Sequence, residues 1–183
     1  MRLKKGDFLS NLDFYLKEIE NGKIFIYPTD TIYGIGCSAL NSDSIKKIRL
    51  TKKREKKPFS IIAPNKEWIN ENFEVLHHEK LNLFPGKYTF ILNSKTNFLP
   101  KEINPKENSY GIRIPNNWFC EILEIPFITT SVNFSGENHI TKIDEISKEI
   151  LKYVDYVIDV GILDGSPSTI LDLRNEEIKV VRK

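Results

Sequence analysis

Cysteine is scarce in this chain. Only Cys37 and Cys120 are present, with no CxxC pair and no Cys/His cluster, so a zinc site is not expected. The same scarcity makes a reducing, cytoplasmic setting the default expectation. No motif sets a histidine beside either thiol, and a small buried side chain fits each better than a nucleophile. His77 and His78 stand beside Glu74 and Glu79 and read as an exposed helix start, whereas His139 is open between ligand contact and surface placement. Neither GxxxxGK[ST] nor GxGxxG occurs, so the common nucleotide loops are absent. Asp155, Asp159, Asp164 and Asp172 are scattered, and no metal cage is expected from them. No run of 18 apolar residues exists, which excludes a membrane-spanning helix. The first 21 residues contain basic residues and an amphipathic pattern but no apolar stretch, unlike a signal peptide.

What is present is ordinary in bulk and uneven in detail. With 183 residues, 40% hydrophobic and 28% charged, the chain fits one soluble domain over 1–183. Its net charge of +2 conceals a basic segment at 46–57, KKIRLTKKREKK, with eight Lys/Arg against one Glu. That segment is +7, so the remainder is −5. A basic patch on a mildly acidic body points to a polyanion, either nucleotide phosphates or nucleic acid.

The stretch 23–36, KIFIYPTDTIYGIG, organises the rest. Ile24 to Tyr27 predicts a strand buried on both faces. Pro28 ends it, because proline has no N–H for a sheet ladder. A hydroxyl-rich loop follows, in which Asp30 and Tyr33 are open between ligand contact and loop support, and Gly34 and Gly36 turn or let the backbone approach a ligand. Helices are expected at 7–21, with Leu9, Leu12, Leu16 and Ile19 as the buried stripe, and from Asn41–Asp43 to Leu50. Further helices are expected after Asn65, near 78–84, after Trp118 and at 143–151. Strands are expected at 59–63, 88–92, 110–114, 127–130, 154–160, 168–173 and 178–181. The alternation predicts an α/β fold, a twisted mixed sheet flanked by helices. Several strand ends carry hydroxyl or amide residues, which would form a pocket of neutral donors and acceptors if they converge.

No enzyme nucleophile is evident, so catalysis would rest on positioning and on electrostatic stabilisation of a phosphoryl centre. Lys52 and Arg54 are the natural phosphate clamps, Lys as a point charge and Arg as a fork. Lys46 and Lys47 read as a solvated helix face.

Seven short stretches stand in order: PTDTIYGIG at 28–36, KKR at 52–54 with Pro58 beyond, PGKYT at 85–89, GIRIP at 111–115, TSVNFSG at 130–136, STILD at 168–172 and VR at 181–182. Together they resemble the YrdC/TsaC family of threonylcarbamoyl-AMP synthases, whose motifs read PTDTVYGLG, KxR, PGPxT, VxRxP, TSANxSG and STxxD, with a terminal arginine strand. The resemblance implies a YrdC-like fold and, because the chain stops at Lys183, the short form. It implies condensation of L-threonine, bicarbonate and ATP to threonylcarbamoyl-AMP and pyrophosphate. A partner transfer complex would then carry the group to adenosine 37 of tRNA. It further implies that Thr31, Arg113 and Ser168 hold threonine. Lys52, Arg54, Ser109, Ser131, Asn133 and Arg182 would hold ATP, with Lys52 and Arg54 stabilising charge at the phosphates. Mg2+ would arrive with ATP.

Two other readings compete. An RNA-binding module without synthase activity would use segment 46–57 on a structured RNA such as tRNA, although no stacking aromatics are interleaved there. A related carbamoyl-transfer domain would need flanking domains.

Overall fold

Ten strands among the described residues form one mixed sheet in the order β1-β8-β2-β3-β7-β4-β6-β5-β9-β10. The computed structural model describes residues 1–54, 56–134 and 137–183. In chain order the elements are β1 (Arg2–Lys4), α1 (Lys5–Leu9), α2 (Leu12–Glu20), β2 (Phe25–Tyr27), β3 (Gly34–Gly36), α3 (Ser42–Thr51), β4 (Ser60–Ile62) and α4 (Lys66–Asn72). Then come β5 (Tyr88–Asn93), β6 (Ser109–Arg113), α5 (Trp118–Glu121), β7 (Phe127–Ser131), α6 (Lys148–Leu151), β8 (Tyr156–Asp159), β9 (Thr169–Asp172) and β10 (Lys179–Arg182). Single 3-10 stretches occupy His78–Leu83 and Ile143–Glu145. Four pairs are parallel (β1/β8, β2/β8, β4/β6, β5/β9) and the others antiparallel, as expected for a mixed sheet.

Strand β2 shows why the sheet is covered on both faces. Successive side chains of a strand point to opposite sides. Ile24 and Ile26 therefore enter one core with Ile35, Ile61, Phe90 and Ile112, while Phe25 and Tyr27 enter a second. The second core is aromatic: Tyr27 stacks on Phe119 at 4.7 Å and Phe8 on Tyr15 at 4.8 Å between ring centroids. Burial of that depth pushes the thiols of Cys37 and Cys120 well up, which suits inert packing groups.

Three local expectations change. The helix over 7–21 is two helices, broken at Ser10–Asn11, because the face that packs is Phe8, Tyr15 and Ile19; Leu9 is exposed. Asp7 lies inside α1, where Oδ2 accepts from Lys4 N at 2.9 Å. Strand β1 was not foreseen; only Leu3 is buried in its three residues, too short a pattern to read. Gly34–Gly36 is a strand rather than a turn and pairs with β2 as a hairpin from Phe25↔Gly36 to Tyr27↔Gly34, although Gly34 also lines the cavity described below. The glycines are there for packing: a Cβ on Gly34 would meet Tyr27 Cζ at 2.9 Å.

Two helices end in the same hydrogen-bond pattern with different residues in the left-handed position. After α2, Gly22 (φ 78°) sends its N–H to Ile19 O, and Lys23 sends its own to Glu18 O. After α3, Lys53 (φ 50°) bonds Leu50 O, and Arg54 bonds Arg49 O. A lysine in that conformation costs roughly 1 kcal/mol that glycine avoids. Its exposed contact to Glu149 at 3.4 Å offsets little. Lys53→Gly is therefore expected to stabilise the fold by about 1 kcal/mol in urea unfolding. A destabilised variant would mean that the Lys53 side chain matters more than its backbone.

Candidate functional site

The β2–β3 hairpin loop forms one wall of a cavity of about 360 Å³. Thr29 organises that loop. Its Oγ1 donates to Ile32 O at 2.8 Å and accepts from the N–H groups of Thr31 (3.1 Å) and Ile32 (3.3 Å). A 2.8 Å contact joins the Thr29 and Thr31 hydroxyls, either of which can be its donor, and Thr31 lines the cavity.

Two further segments close around it. The loop after β8 presses Gly165 onto Thr31, so closely that a Cβ there would lie 2.1 Å from Thr31 O. Tyr33 anchors the start of that loop by donating to Gly161 O (2.8 Å) and accepting from Val160 N (3.0 Å). Ser168, at the far end of the loop, meets Thr89 hydroxyl to hydroxyl at 2.8 Å. Arg182 on β10 donates to Ser168 O through Nε (3.0 Å) and Nη2 (2.7 Å).

Three guanidiniums face this space: Arg54, Arg113 and Arg182. Arg54 leaves the α3 turn and is fixed by Thr130 Oγ1 (2.9 Å), Lys57 O (3.2 Å) and Pro58 O, above the Phe59 ring. Burial, then the neighbouring Arg49 charge, pushes Arg54 down to about 10. Burial, then Arg113, also lowers Arg182. Arg113, at the end of β6, donates Nη2 to Asp30 Oδ1 at 2.7 Å, both side chains being nearly buried. Crowded, desolvated cations of this kind are relieved by an anionic ligand.

Two buried atoms have no partner among the described residues: Arg113 Nε and Asn133 Oδ1. Asn133 is oriented by its amide, which donates to Phe134 O (3.0 Å) and Glu137 O (2.7 Å). Among the described residues its oxygen is therefore a fixed, unused acceptor. Such atoms are costly unless something else satisfies them.

The chain is similar to known proteins. Residues 17–183 match the family model Sua5/YciO/YrdC, described as telomere recombination. The chain belongs to this family. A Methanocaldococcus jannaschii protein, provisionally named a threonylcarbamoyl-AMP synthase, is 42% identical over 178 residues, covering 94% of this chain and 84% of its own. Escherichia coli YciO, named as uncharacterised, is 29% identical over 90% of this chain and 84% of its own. Its crystal structure superposes with a TM-score of 0.85 at 24% identity, covering 100% of this chain and 94% of that one. P. abyssi Sua5 complexed with L-threonine superposes with a TM-score of 0.87 at 23% identity, covering 100% of this chain. The present chain spans 56% of that longer one.

Of nine residues that the sequence nominated, the Sua5/YciO/YrdC fold brings seven to one cavity: Thr31, Arg54, Arg113, Ser131, Asn133, Ser168 and Arg182. Ser109 is not among them. It starts β6 while Arg113 ends it, about 13 Å away at the rise of a strand. Its hydroxyl donates to Glu107 (2.9 Å) and accepts from Arg174 (3.3 Å), in a network with Asp172 outside the cavity. Lys52 is not on the cavity wall either. It is 2% exposed, and Nζ donates to the carbonyls of Ser131 and Asn133 (2.6 Å to the latter), tying the α3 turn to the SVN loop from beneath. Ser135 and Gly136 of the TSVNFSG motif lie outside the described residues.

The basic segment is also less of a surface than its composition implied. Lys52 is buried, Arg54 faces the cavity, and Arg49 bonds Glu102 O (2.5 Å) and Ile103 O (3.0 Å). Lys46 lies near Asp43 (3.3 Å) and Glu102 (3.6 Å). This spends much of the local charge inside the fold and weakens the RNA-module reading. Sequence reasoning left Asp30, Tyr33 and His139 undecided. Asp30 and Tyr33 hold the site together, and His139 lines the cavity. Glu137, which the sequence did not single out, lines it too.

Burial, then Arg54, pushes the Lys52 ammonium down to about 7. A folded pKa below the unfolded one means that the unfolded chain binds more protons between these values, so stability rises with pH there. From pH 7 to 8.5, unfolding free energy is expected to rise in the wild type by up to about 1.4 kcal/mol per unit relative to Lys52→Met. Parallel pH profiles for the two proteins would contradict a depressed Lys52.

Proposed function

We propose that this chain is an L-threonylcarbamoyladenylate synthase. One observation carries the reading: three guanidiniums and a set of hydrogen-bonded hydroxyls face one cavity, with no cysteine on its wall. That arrangement suits a reaction in which the substrates attack one another and the protein positions anions. The name of the M. jannaschii relative and the threonine bound to P. abyssi Sua5 support the same reading.

The chemistry follows from the donor set. Arg113 offers a charge-assisted bond to the threonine carboxylate. The Thr31 hydroxyl, which can donate or accept, suits the polar groups of threonine, and Ser168 lines the same space. The threonine amine adds to bicarbonate with loss of water, giving a carbamate. A carbamate oxygen attacks the α-phosphorus of ATP, and the bond to the departing pyrophosphate breaks. Arg54 and Arg182 stand where negative charge must be held, and the Ser131–Asn133 strand end supplies neutral polar groups. Lys52 contributes by holding that strand end in place. The threonylcarbamoyl group is then available for transfer to tRNA by a partner complex.

Among the described residues no group of three His, Cys, Asp or Glu could cage a metal. Asn133 Oδ1 and the Glu137 carboxylate are nevertheless hard oxygen donors of the kind that Mg2+ takes together with phosphate oxygens. They would hold the ion, which would neutralise phosphate charge. No helix among the described residues is long and apolar enough to cross a membrane.

Incubation with 13C-bicarbonate, L-threonine and ATP is expected to yield an adenylate that carries one 13C, detected by mass spectrometry. Its absence in the presence of all three substrates would overturn the reading.

A further inference from the structure

Asp30 sits between the two halves of the proposed threonine subsite. It belongs to the β2–β3 hairpin loop, next to Thr31, yet its carboxylate reaches the end of β6. Oδ1 accepts from Arg113 Nη2 at 2.7 Å, and Oδ2 accepts from Asn116 N at 3.0 Å. Both side chains of the ion pair are over nine-tenths buried, at 8% and 7% exposure. A buried guanidinium needs a partner, and here Asp30 is the only residue among the described ones that supplies an oxygen to it.

The pairing is also directional. Asp30 occupies Nη2, while Nε is buried without any partner. A guanidinium is a rigid planar fork, so holding one corner fixes where the others point. We infer that Asp30 is a positioning residue, which clamps the Nη2 corner of Arg113 and leaves the Nε edge for the carboxylate of an amino-acid substrate. The inference rests on the synthase reading and names the group that makes its amino-acid subsite rigid.

An amide cannot replace this carboxylate. Asp30 serves two donors with two separate oxygens, and asparagine has one acceptor oxygen and one NH2. In Asp30→Asn one donor therefore faces a donor, either Arg113 Nη2 or Asn116 N.

Calorimetric titration of L-threonine without ATP tests the idea. Asp30→Asn is expected to bind threonine about tenfold or more weakly than wild type, with ATP affinity within twofold. In turnover, KM for threonine rises while kcat at saturating threonine stays within about twofold. Arg113→Lys weakens threonine as well, and the double variant is expected to be no weaker than Arg113→Lys alone, because both changes remove one arrangement. Unchanged threonine binding in Asp30→Asn, or losses that simply add, would overturn the inference. Should Asp30→Asn fail to fold, the wild-type Arg113 Nε–H resonance decides: threonine is expected to move it, and an unmoved signal refutes the assignment. A wild type that binds no threonine would instead bring down the synthase reading, and this inference with it.

Discussion

Replacing Arg54 by alanine is expected to lower pyrophosphate release by about 100- to 1000-fold at saturating substrates, with the fold intact. Among the described residues Arg54 is the one cation of segment 46–57 on the cavity wall, and it combines that place with two further features. It is locked by three oxygen acceptors, and burial and Arg49 have pushed it down to about 10. A guanidinium held this way needs little reorganisation when charge develops at the phosphate, and its interactions gain strength away from water. Its loss leaves the sheet strands untouched, since its anchors are loop carbonyls and one threonine hydroxyl. Thermal unfolding of the variant should stay within a few degrees of wild type. Near-normal turnover in a folded Arg54→Ala protein would show that the phosphate clamp lies elsewhere.

Gly36→Ala should be the most damaging single substitution for the fold. Its Cβ would lie 1.8 Å from Ile128 O and 2.8 Å from Phe127 Cε1. The first atom belongs to the backbone of β7, which cannot step aside as a flexible side chain could. Strand β3 joins the β2 side of the sheet to β7 through its pairs Gly34↔Ser131 and Ile35↔Thr130. Pushing the strands apart would therefore break the sheet near its middle and displace Ser131 from the cavity. A loss of about 4 kcal/mol or more is expected, a large part of a typical domain's 5–15 kcal/mol. Gly6→Ala serves as the control: nothing lies within 4 Å of the added Cβ, and alanine favours a helix interior by about 0.5–1 kcal/mol. Urea unfolding that ranks the two variants alike would contradict the packing account of Gly36.

Much of this was legible in the chain, and the failures share a cause. The run at Ile24–Tyr27 announced a strand with two buried faces, and Pro28 announced its end, because both signals are local. Asn41 and Asn65 likewise start α3 and α4, as capping side chains do. Gly34 does line the cavity, but Gly36 packs against the β7 backbone. Glycine's freedom at a turn and its smallness in a packed strand look identical until the opposing strand is known. Lys52 and Arg54 were paired as clamps because they share a charge. The left-handed Lys53 between them sends one beneath the SVN loop and the other into the cavity. Ser109 and Arg113 are on one strand, but only one strand end reaches the site. Asp30 was left undecided because its partner is 83 residues away.

Release of pyrophosphate from ATP, measured with L-threonine and bicarbonate each withheld and restored, tests the central claim most directly. The account predicts release only when both are present, and none after omission of either. Pyrophosphate release that proceeds equally well without threonine would contradict it.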